Sequence, residues 1–278
     1  MELYFPDPVA VDHYENFPVA SILLPPRLRR PIALIYRFAR ESDDFADEGD
    51  APDAQRLAQI ASFTRELERI ARDEPPAISW FGDLAAVIRK HDLPLAAFHD
   101  LLSAFAQDVT KKRYANYAEV LDYCHRSADP IGRLLLVLYG AANPQNLRYS
   151  NAICSSLQLI NFWQDVAIDW QKNRIYFPQD EMQQHGITET QIANGDTSGA
   201  WQHFMTFQID RTRELLYSGK PLGRILKGRI GLEMRMIIAG GDRILTKIAA
   251  VDGDVFQRRP VLKKPDWVLL LAKSLAGI

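Results

Sequence analysis

Cysteine is scarce in this chain: Cys124 and Cys154 are the only two in 278 residues. Both sit in apolar patterns of helical period, so they read as reduced core residues rather than a disulfide, the usage of a cytoplasmic protein. An excess of charge of one sign is also lacking. Lys and Arg number 33 against 35 Asp and Glu, a formal net charge of −2. That balance offers no bulk attraction for nucleic acid, and no nucleic-acid partner is expected. No apolar stretch approaches the ~20 residues that span a bilayer. The opening residues have neither a basic head nor a long apolar run, so no signal peptide is expected. The six histidines show no paired spacing beside acids, which argues against a histidine-ligated metal hydrolase. Sustained period-two alternation, internal repeats and a Gly-x-Gly-x-x-Gly run are all missing.

What remains is helical periodicity broken by proline and glycine. The patterns predict helices over 31–47, 53–72, 78–91, 94–110, 117–139, 146–171, 188–194, 200–217, 222–251 and 266–275. Pro130 either kinks the fifth of these or starts a new segment. A short helix is expected over 13–24, and 173–186 and 195–199 read as irregular. About ten helices without strands predict an all-α fold.

Two acidic stretches stand out. Asn161, Asp165 and Asp169 are spaced by four, and Ile153 and Leu157 precede them in the same row. On a helix this row is one face. Asp43, Asp44 and Asp47 similarly extend a stripe that begins with Ile32 and Tyr36. Each stretch is compatible with a solvated acidic face. It is equally compatible with carboxylates turned into a cavity, where bare charge is costly and a divalent cation with oxygen ligands is one fitting partner. Arg40, Lys172 and Arg174 lie beside the acids and would anchor a polyanion bridged by such metals. Lys111, Lys112 and Arg113 are either plain surface or a further aid in holding such a polyanion. Because the two acid sets would share one cavity, residues 1–278 are expected to form a single domain.

Asp43-Asp44-Phe45-Ala46-Asp47, followed far downstream by Asn161-x-x-x-Asp165-x-x-x-Asp169, resembles the metal motifs of class I terpenoid synthases. The context resembles the squalene/phytoene synthase family: Tyr36-x-x-x-Arg40, Tyr123-Cys124, Gly132, Leu157-Gln158-Leu159-x-Asn161 and Asn173-Arg174-Ile175-Tyr176-Phe177-Pro178. His13 to Pro18, Ser127 to Arg133 and Asn161 to Val166 look most like its bacterial hydroxysqualene synthase branch, which serves hopanoid formation.

The resemblance implies a helical bundle around a central cavity. Its metal ligands would be Asp43, Asp44, Asp47, Asn161, Asp165 and Asp169, and the metal Mg2+, with Mn2+ as an alternative. Catalysis would rest on Asp43, Asp47, Asp165, Asp169 and Tyr123. Substrate would meet Phe17, Ser21, Tyr36, Arg40, Gln158, Gln164, Lys172, Arg174 and Tyr176. The aromatic group Phe17, Tyr36, Phe45, Tyr123 and Phe162 would face a carbocation. The implied reaction turns presqualene diphosphate into hydroxysqualene and pyrophosphate, with no NADPH. The alternatives are head-to-head condensation of prenyl diphosphates and, more remotely, an inactive assembly relative. The implied setting is cytoplasmic, with weak peripheral membrane contact and contact with the enzyme that supplies the substrate.

Three departures from the family pattern point to a substrate with one diphosphate. Gln164 stands for arginine, Asn173 for glycine, and Asp129-Pro130 for a Gly-Val type pair.

Overall fold

The structure, a computed structural model, describes residues 24–276. Among them are fourteen helices and no strand; the extended pairing is an isolated parallel bridge between Tyr114 and Pro178. The all-α expectation holds. The sites Phe17 and Ser21, and the helix expected over 13–24 apart from Leu24, fall outside the described residues.

The first core is built by α1 (Pro26–Asp47), α2 (Asp53–Ala71), α3 (Phe81–His91) and α4 (Leu95–Thr110). α1 starts earlier than expected, with Pro26 in its first turn, where a missing N–H costs nothing. Phe38 on α1 is fully buried, and its ring centroid lies 5.6, 6.0 and 5.1 Å from those of Phe63, Phe81 and Phe98. Such ring pairs contribute about 0.5–1.5 kcal/mol each beyond their buried area. They hold α1 against three neighbours, and so fix where its acidic end points.

The segment 117–139 is two helices, α5 (Tyr117–Ser127) and α6 (Asp129–Leu138). Pro130 sits in the first turn of α6 and starts it rather than kinking a longer one. α6 lies between two cores: Leu134 and Leu138 face the first, Leu136 the second. The second core surrounds α7 (Pro144–Gln164), which packs on α5, α6, α11 (Trp201–Ser218) and α13 (Gly228–Ala250). Trp163 stacks on Phe177 at 4.8 Å and donates Nε1 to Thr212 Oγ1 at 2.8 Å, so its one polar atom is satisfied.

Three expected boundaries change. The helix over 146–171 breaks at Asp165, whose φ of −106° and ψ of 16° separate α7 from α8 (Val166–Gln171). The backbone bonds run on across the break, from Asp165 N to Asn161 O at 2.9 Å and from Asp169 N to Asp165 O at 2.8 Å. The stretch 173–186 is not wholly irregular, since it holds α9 (Gln179–Gln184), which α10 (Glu189–Ala193) follows. The segment 222–251 divides into α12 (Leu222–Ile225) and α13, because Leu226 and Lys227 are extended, with ψ of 134° and 160°, and Gly228 then opens α13 at a φ of +60° that suits glycine. α14 (Lys264–Ala276) packs on α13.

α6 and α7 approach closely at Gly132, where a Cβ would collide with Ser150 Oγ and lie 2.7 Å from Cys154 Sγ. Gly132→Ala is therefore expected to lose about 1–3 kcal/mol, the usual cost of overpacking. Chemical denaturation read by far-UV circular dichroism checks this. A variant as stable as its parent would show that the helices have room to part.

Candidate active site

A cavity of about 640 Å³ is lined from both cores. α1 supplies Tyr36, Arg40, Asp43 and Asp47 to its wall. α7 supplies Gln158, Asn161 and Phe162, α8 supplies Asp169, and Asp165 comes from the junction between them. Ile32, Ile35, Ala39, Ile131 and Leu135 form an apolar stretch of the same wall. One end of the lining is thus acidic and the rest carries hydrocarbon and rings. The cavity suits an amphiphile with a charged head and an apolar body.

The acids are arranged against charge repulsion. Asp47 receives Lys172 Nζ at 2.9 Å and Arg174 Nη1 at 2.6 Å, so cations from beyond α8 clasp the first acid set. Burial alone would raise the Asp47 carboxyl, but Arg174 and then Lys172 outweigh it and hold it below the usual range. Arg40 pairs with Asp44 at 2.7 Å and lies 3.9 Å from Asp43. Asp165 accepts from Asn161 Nδ2 at 2.8 Å and from Arg259 Nε. Asp43 and Asp169 fare differently. Burial, and then neighbouring carboxylates, push Asp43 from 3.8 up to about 7. Its side chain is 39% accessible and lines the cavity. Asp169 is raised well above the usual range, by burial first and Asp165 second.

A buried tyrosine pair shares a third acid. Tyr123 and Tyr176 both donate to Asp108, the latter at 3.1 Å, and Arg174 Nη2 donates to the Asp108 carbonyl at 3.1 Å. Burial lifts Asp108 to about 6, although Arg174 and the tyrosine bonds pull the other way. Phe162 stacks on Tyr176 at 3.6 Å and lies 5.9 Å from Tyr123, giving a compact aromatic wall. Sequence reasoning missed Asp108. Its signal was there, for it follows Leu101 and Phe105 at helical spacing and so puts an acid on the buried stripe of α4.

Most expected site residues converge: Tyr36, Arg40, Asp43, Asp47, Tyr123, Gln158, Asn161, Asp165, Asp169, Lys172, Arg174 and Tyr176 all line the cavity. Several do not. Asp44 is off its wall, held by Arg40 one turn earlier. Phe45 packs on Phe63 at 5.0 Å in the first core. Lys111 pairs with Glu119 at 2.8 Å, Arg113 pairs with Glu189 at 2.7 Å, and Lys112 donates to the Asp108 carbonyl at 2.5 Å; none of the three lines the cavity.

Gln164 is the largest correction. It is fully buried away from the cavity wall and donates Nε2 to the Pro260 carbonyl. The adjacent Arg259 reaches Asp165. A guanidinium therefore stands at the second acid set after all, delivered from 94 residues downstream. The other two departures are structural. Asn173 takes a φ of +57°, the left-handed position that asparagine tolerates best after glycine. It ends α8 while Arg174 N bonds to Asp169 O at 2.8 Å. Asp129 is buried off the cavity wall, accepting from Ser155 Oγ at 2.8 Å and pairing with His125 Nδ1 at 2.7 Å. None of the three departures therefore argues for a single-diphosphate substrate.

The donors available to a cation here are all oxygen, which suits a hard divalent ion. Among the described residues no three of His, Cys, Asp or Glu are placed to hold a metal by themselves. Each acid set offers one or two carboxylates, as Mg2+ accepts when water and phosphate oxygens complete its shell.

Comparison with known proteins agrees with this chemistry. A profile of the squalene/phytoene synthase family matches residues 10–266. The chain is 34% identical over 257 residues to the hydroxysqualene synthase of Rhodopseudomonas palustris, covering 92% of this chain and 86% of that protein. It is 35% identical over 228 residues to that of Zymomonas mobilis, covering 80% and 75% respectively. The crystal structure of squalene synthase HpnC from Alicyclobacillus acidocaldarius superposes with a TM-score of 0.80 at 31% identity, over 86% of this chain and 90% of that one.

Two outcomes follow from the geometry. A carboxyl raised on folding binds more protons in the folded state, so it loses stability as pH climbs from its unfolded value to its folded one. For Asp108 and Asp43 that window runs from 3.8 to about 6 and about 7. Asp47, being depressed, acts only below it. Without metal, the melting temperature is expected to fall between about pH 5 and about pH 7.5, and Mg2+ with pyrophosphate to raise it more at the higher pH, where the ligands are ionised. Differential scanning fluorimetry distinguishes this from equal shifts at both values. Gln164→Leu removes the donor to Pro260 and leaves its carbonyl buried, at an expected cost of about 1–3 kcal/mol. Protease nicking near Arg259 should quicken as well, and a variant nicked at the parent's rate would deny the tether.

Proposed function

The chain belongs to the squalene/phytoene synthase family, and on that premise we propose that it is a hydroxysqualene synthase. In this reading it takes presqualene diphosphate, releases pyrophosphate, opens the cyclopropane and traps the resulting cation with water. The observation that carries it is the shared cavity, in which two acid sets on separate helices meet, the first gripped at Asp47 by Lys172 and Arg174 from the segment after the second, next to an apolar and aromatic wall. The choice of substrate within the family rests on the two hydroxysqualene synthases it resembles. The whole chain is taken as one domain serving this cavity.

Asp43 and Asp47 on one side, with Asn161, Asp165 and Asp169 on the other, would hold Mg2+, with Mn2+ as an alternative. When bound, the metal neutralises charge on the departing pyrophosphate. Arg40, Lys172, Arg174 and Arg259 engage these acids in the structure. Arg40, Lys172 and Arg174, which line the cavity, can turn the same donors to the diphosphate, Arg in a forked pair. Ile32, Ile35, Ile131 and Leu135 keep water from the hydrocarbon. Tyr123, Phe162 and Tyr176 present ring faces that attract a cation. Asp108 holds both tyrosine hydroxyls as donors, and burial raises both tyrosines well above their ordinary range, so they stay protonated. Each hydroxyl oxygen keeps acceptor capacity for a water proton. Alcohol formation needs no hydride, and NADPH has no part in the scheme.

A second reading, condensation of two prenyl diphosphates, gains from Arg259, which restores the positive charge that Gln164 lacks beside Asp165. The intact acid sets disfavour an inactive assembly relative. No helix among the described residues is long and apolar enough to cross a membrane. Long apolar substrates still call for weak peripheral contact with the cytoplasmic membrane face, and for contact with the enzyme that supplies them.

Incubation with presqualene diphosphate and Mg2+ is expected to yield hydroxysqualene whether or not NADPH is present, and to stop in excess EDTA. Product analysis by mass spectrometry checks this. Squalene formed only with NADPH, or presqualene diphosphate formed from farnesyl diphosphate alone, would favour the second reading. Asp43→Asn and Asp165→Asn should each lower turnover by about 100-fold or more while the fold survives. Near-parental rates would remove those carboxylates from the mechanism.

A further inference from the structure

α14 leaves most of its large aliphatic residues exposed and buries two polar ones. Its three buried positions are Asp266, Leu270 and Ser274, at 5%, 1% and 0% exposure, whereas Val268 and Leu275 are 72% and 66% exposed and Leu269 and Leu271 are 41% each. Residues 264, 268, 271, 272 and 275 lie within one helical face at about 100° per residue. That face reads Lys264, Val268, Leu271, Ala272 and Leu275, all exposed. The inner face is held by polar bonds as well as by the packing of Leu270. Arg243 Nε and Lys247 Nζ from α13 grip Asp266 at 2.8 and 2.5 Å, and Arg235 Nε donates to the Ser274 carbonyl at 2.8 Å. A surface helix of a globular protein has the opposite pattern.

The neighbourhood is basic. Residues 217–230 carry Lys220, Arg224, Lys227 and Arg229 and no acid, all four exposed. Residues 262–276 add exposed Lys263, Lys264 and Lys273, against one acid, the buried and doubly paired Asp266. Lys220, Arg224, Lys273 and Leu269 line a groove of about 790 Å³ that joins α12, α13 and α14, and its one acid, Asp242, is paired with Arg213. In a chain of net charge −2 this is a local excess of cations around exposed leucines and valine.

We propose that the outer face of α14, with the basic rim of 217–230, seats the protein on a membrane rich in anionic phospholipid. The apolar residues would enter the headgroup boundary and the cations would meet phosphates. An acidic protein partner would explain the rim, and a second copy of the chain would explain the apolar face. Anionic lipid explains both together without asking seven cations to find carboxylates. The site also faces the right chemistry. Lys264 follows Arg259 by five residues, so chain reach puts the start of α14 no more than about 18 Å from the residue that touches Asp165 at the cavity. A long apolar product would need to travel little water. This deepens the membrane contact in the reading above, but it is carried by the surface alone and is read without turnover.

The test is sedimentation of the full chain with vesicles of phosphatidylcholine, and with vesicles of equal phosphatidylcholine and phosphatidylglycerol. Binding is expected to be about tenfold or more stronger on the anionic vesicles and to weaken with salt. The double variant Val268→Asp, Leu275→Asp should lose vesicle binding by at least about tenfold, while its melting temperature and its turnover of detergent-dispersed substrate stay at parental values. Lys264→Glu with Lys273→Glu should lose the preference for anionic vesicles. Parental protein that stays in solution with both vesicle types overturns the proposal, as does a double variant that still binds. Light scattering that shows a dimer broken by the double variant, without vesicle binding, would assign the face to a second copy instead. Turnover lost with vesicle binding intact would count against the hydroxysqualene synthase reading and not against this surface.

Discussion

Mutual repulsion of carboxylates is the constraint on which the rest of this structure depends. Asp43, Asp47, Asp108, Asp165 and Asp169 all border one cavity. At close range in a partly desolvated site, like charges cannot all remain ionised without cations among them. The fold meets this locally and unequally. Asp47 and Asp165 receive guanidinium or ammonium groups, while Asp43, Asp108 and Asp169 are pushed toward the protonated form. The acids left without full compensation are the ones to which an added divalent cation contributes most. Breaking a buried ion pair is strongly destabilising, and building one often gains nothing net. The Arg174–Asp47 contact is therefore better understood as setting the spacing of two walls than as a source of stability.

The aromatic side of the cavity answers to the same constraint. Asp108 is buried at 2% exposure and would be a liability on the α4 stripe without partners. Tyr123, Tyr176 and Arg174 supply them, and in doing so fix two rings against Phe162. One carboxylate thus links the acidic end to the apolar end. Rigid placement of rings and donors before substrate arrives is what electrostatic catalysis requires.

The molecule has a second polar-apolar inversion at α14, and the two share a logic. In the cavity, charge turns inward because an ionic ligand is to be held there. On α14, charge turns inward to bond α13 and leaves hydrocarbon outside. Both break the rule that apolar residues bury and charged residues solvate, and departures from that rule concentrate where proteins meet ligands or other surfaces.

By itself the sequence determined a good deal. Residues four apart on a helix must share a face, so Asn161, Asp165 and Asp169 were legible as one site, as were Asp43 and Asp47. Helical class followed from periodicity and the motif context from local spelling, while three of the ten expected helices divide and Gln179–Gln184 adds another. The tertiary structure alone decided what depends on distant segments meeting. Gln164 spelled a lost charge, yet it binds Pro260 and lets Arg259 return a guanidinium to Asp165 across 94 residues. Lys112 and Arg113 were open to two readings, plain surface or an aid to diphosphate binding, and their partners prove to be the Asp108 carbonyl and Glu189. Local periodicity is a property of consecutive residues, because helical hydrogen bonds close over four positions. The partner of a charge is a property of packing, because Coulomb attraction acts through space and is indifferent to separation along the chain.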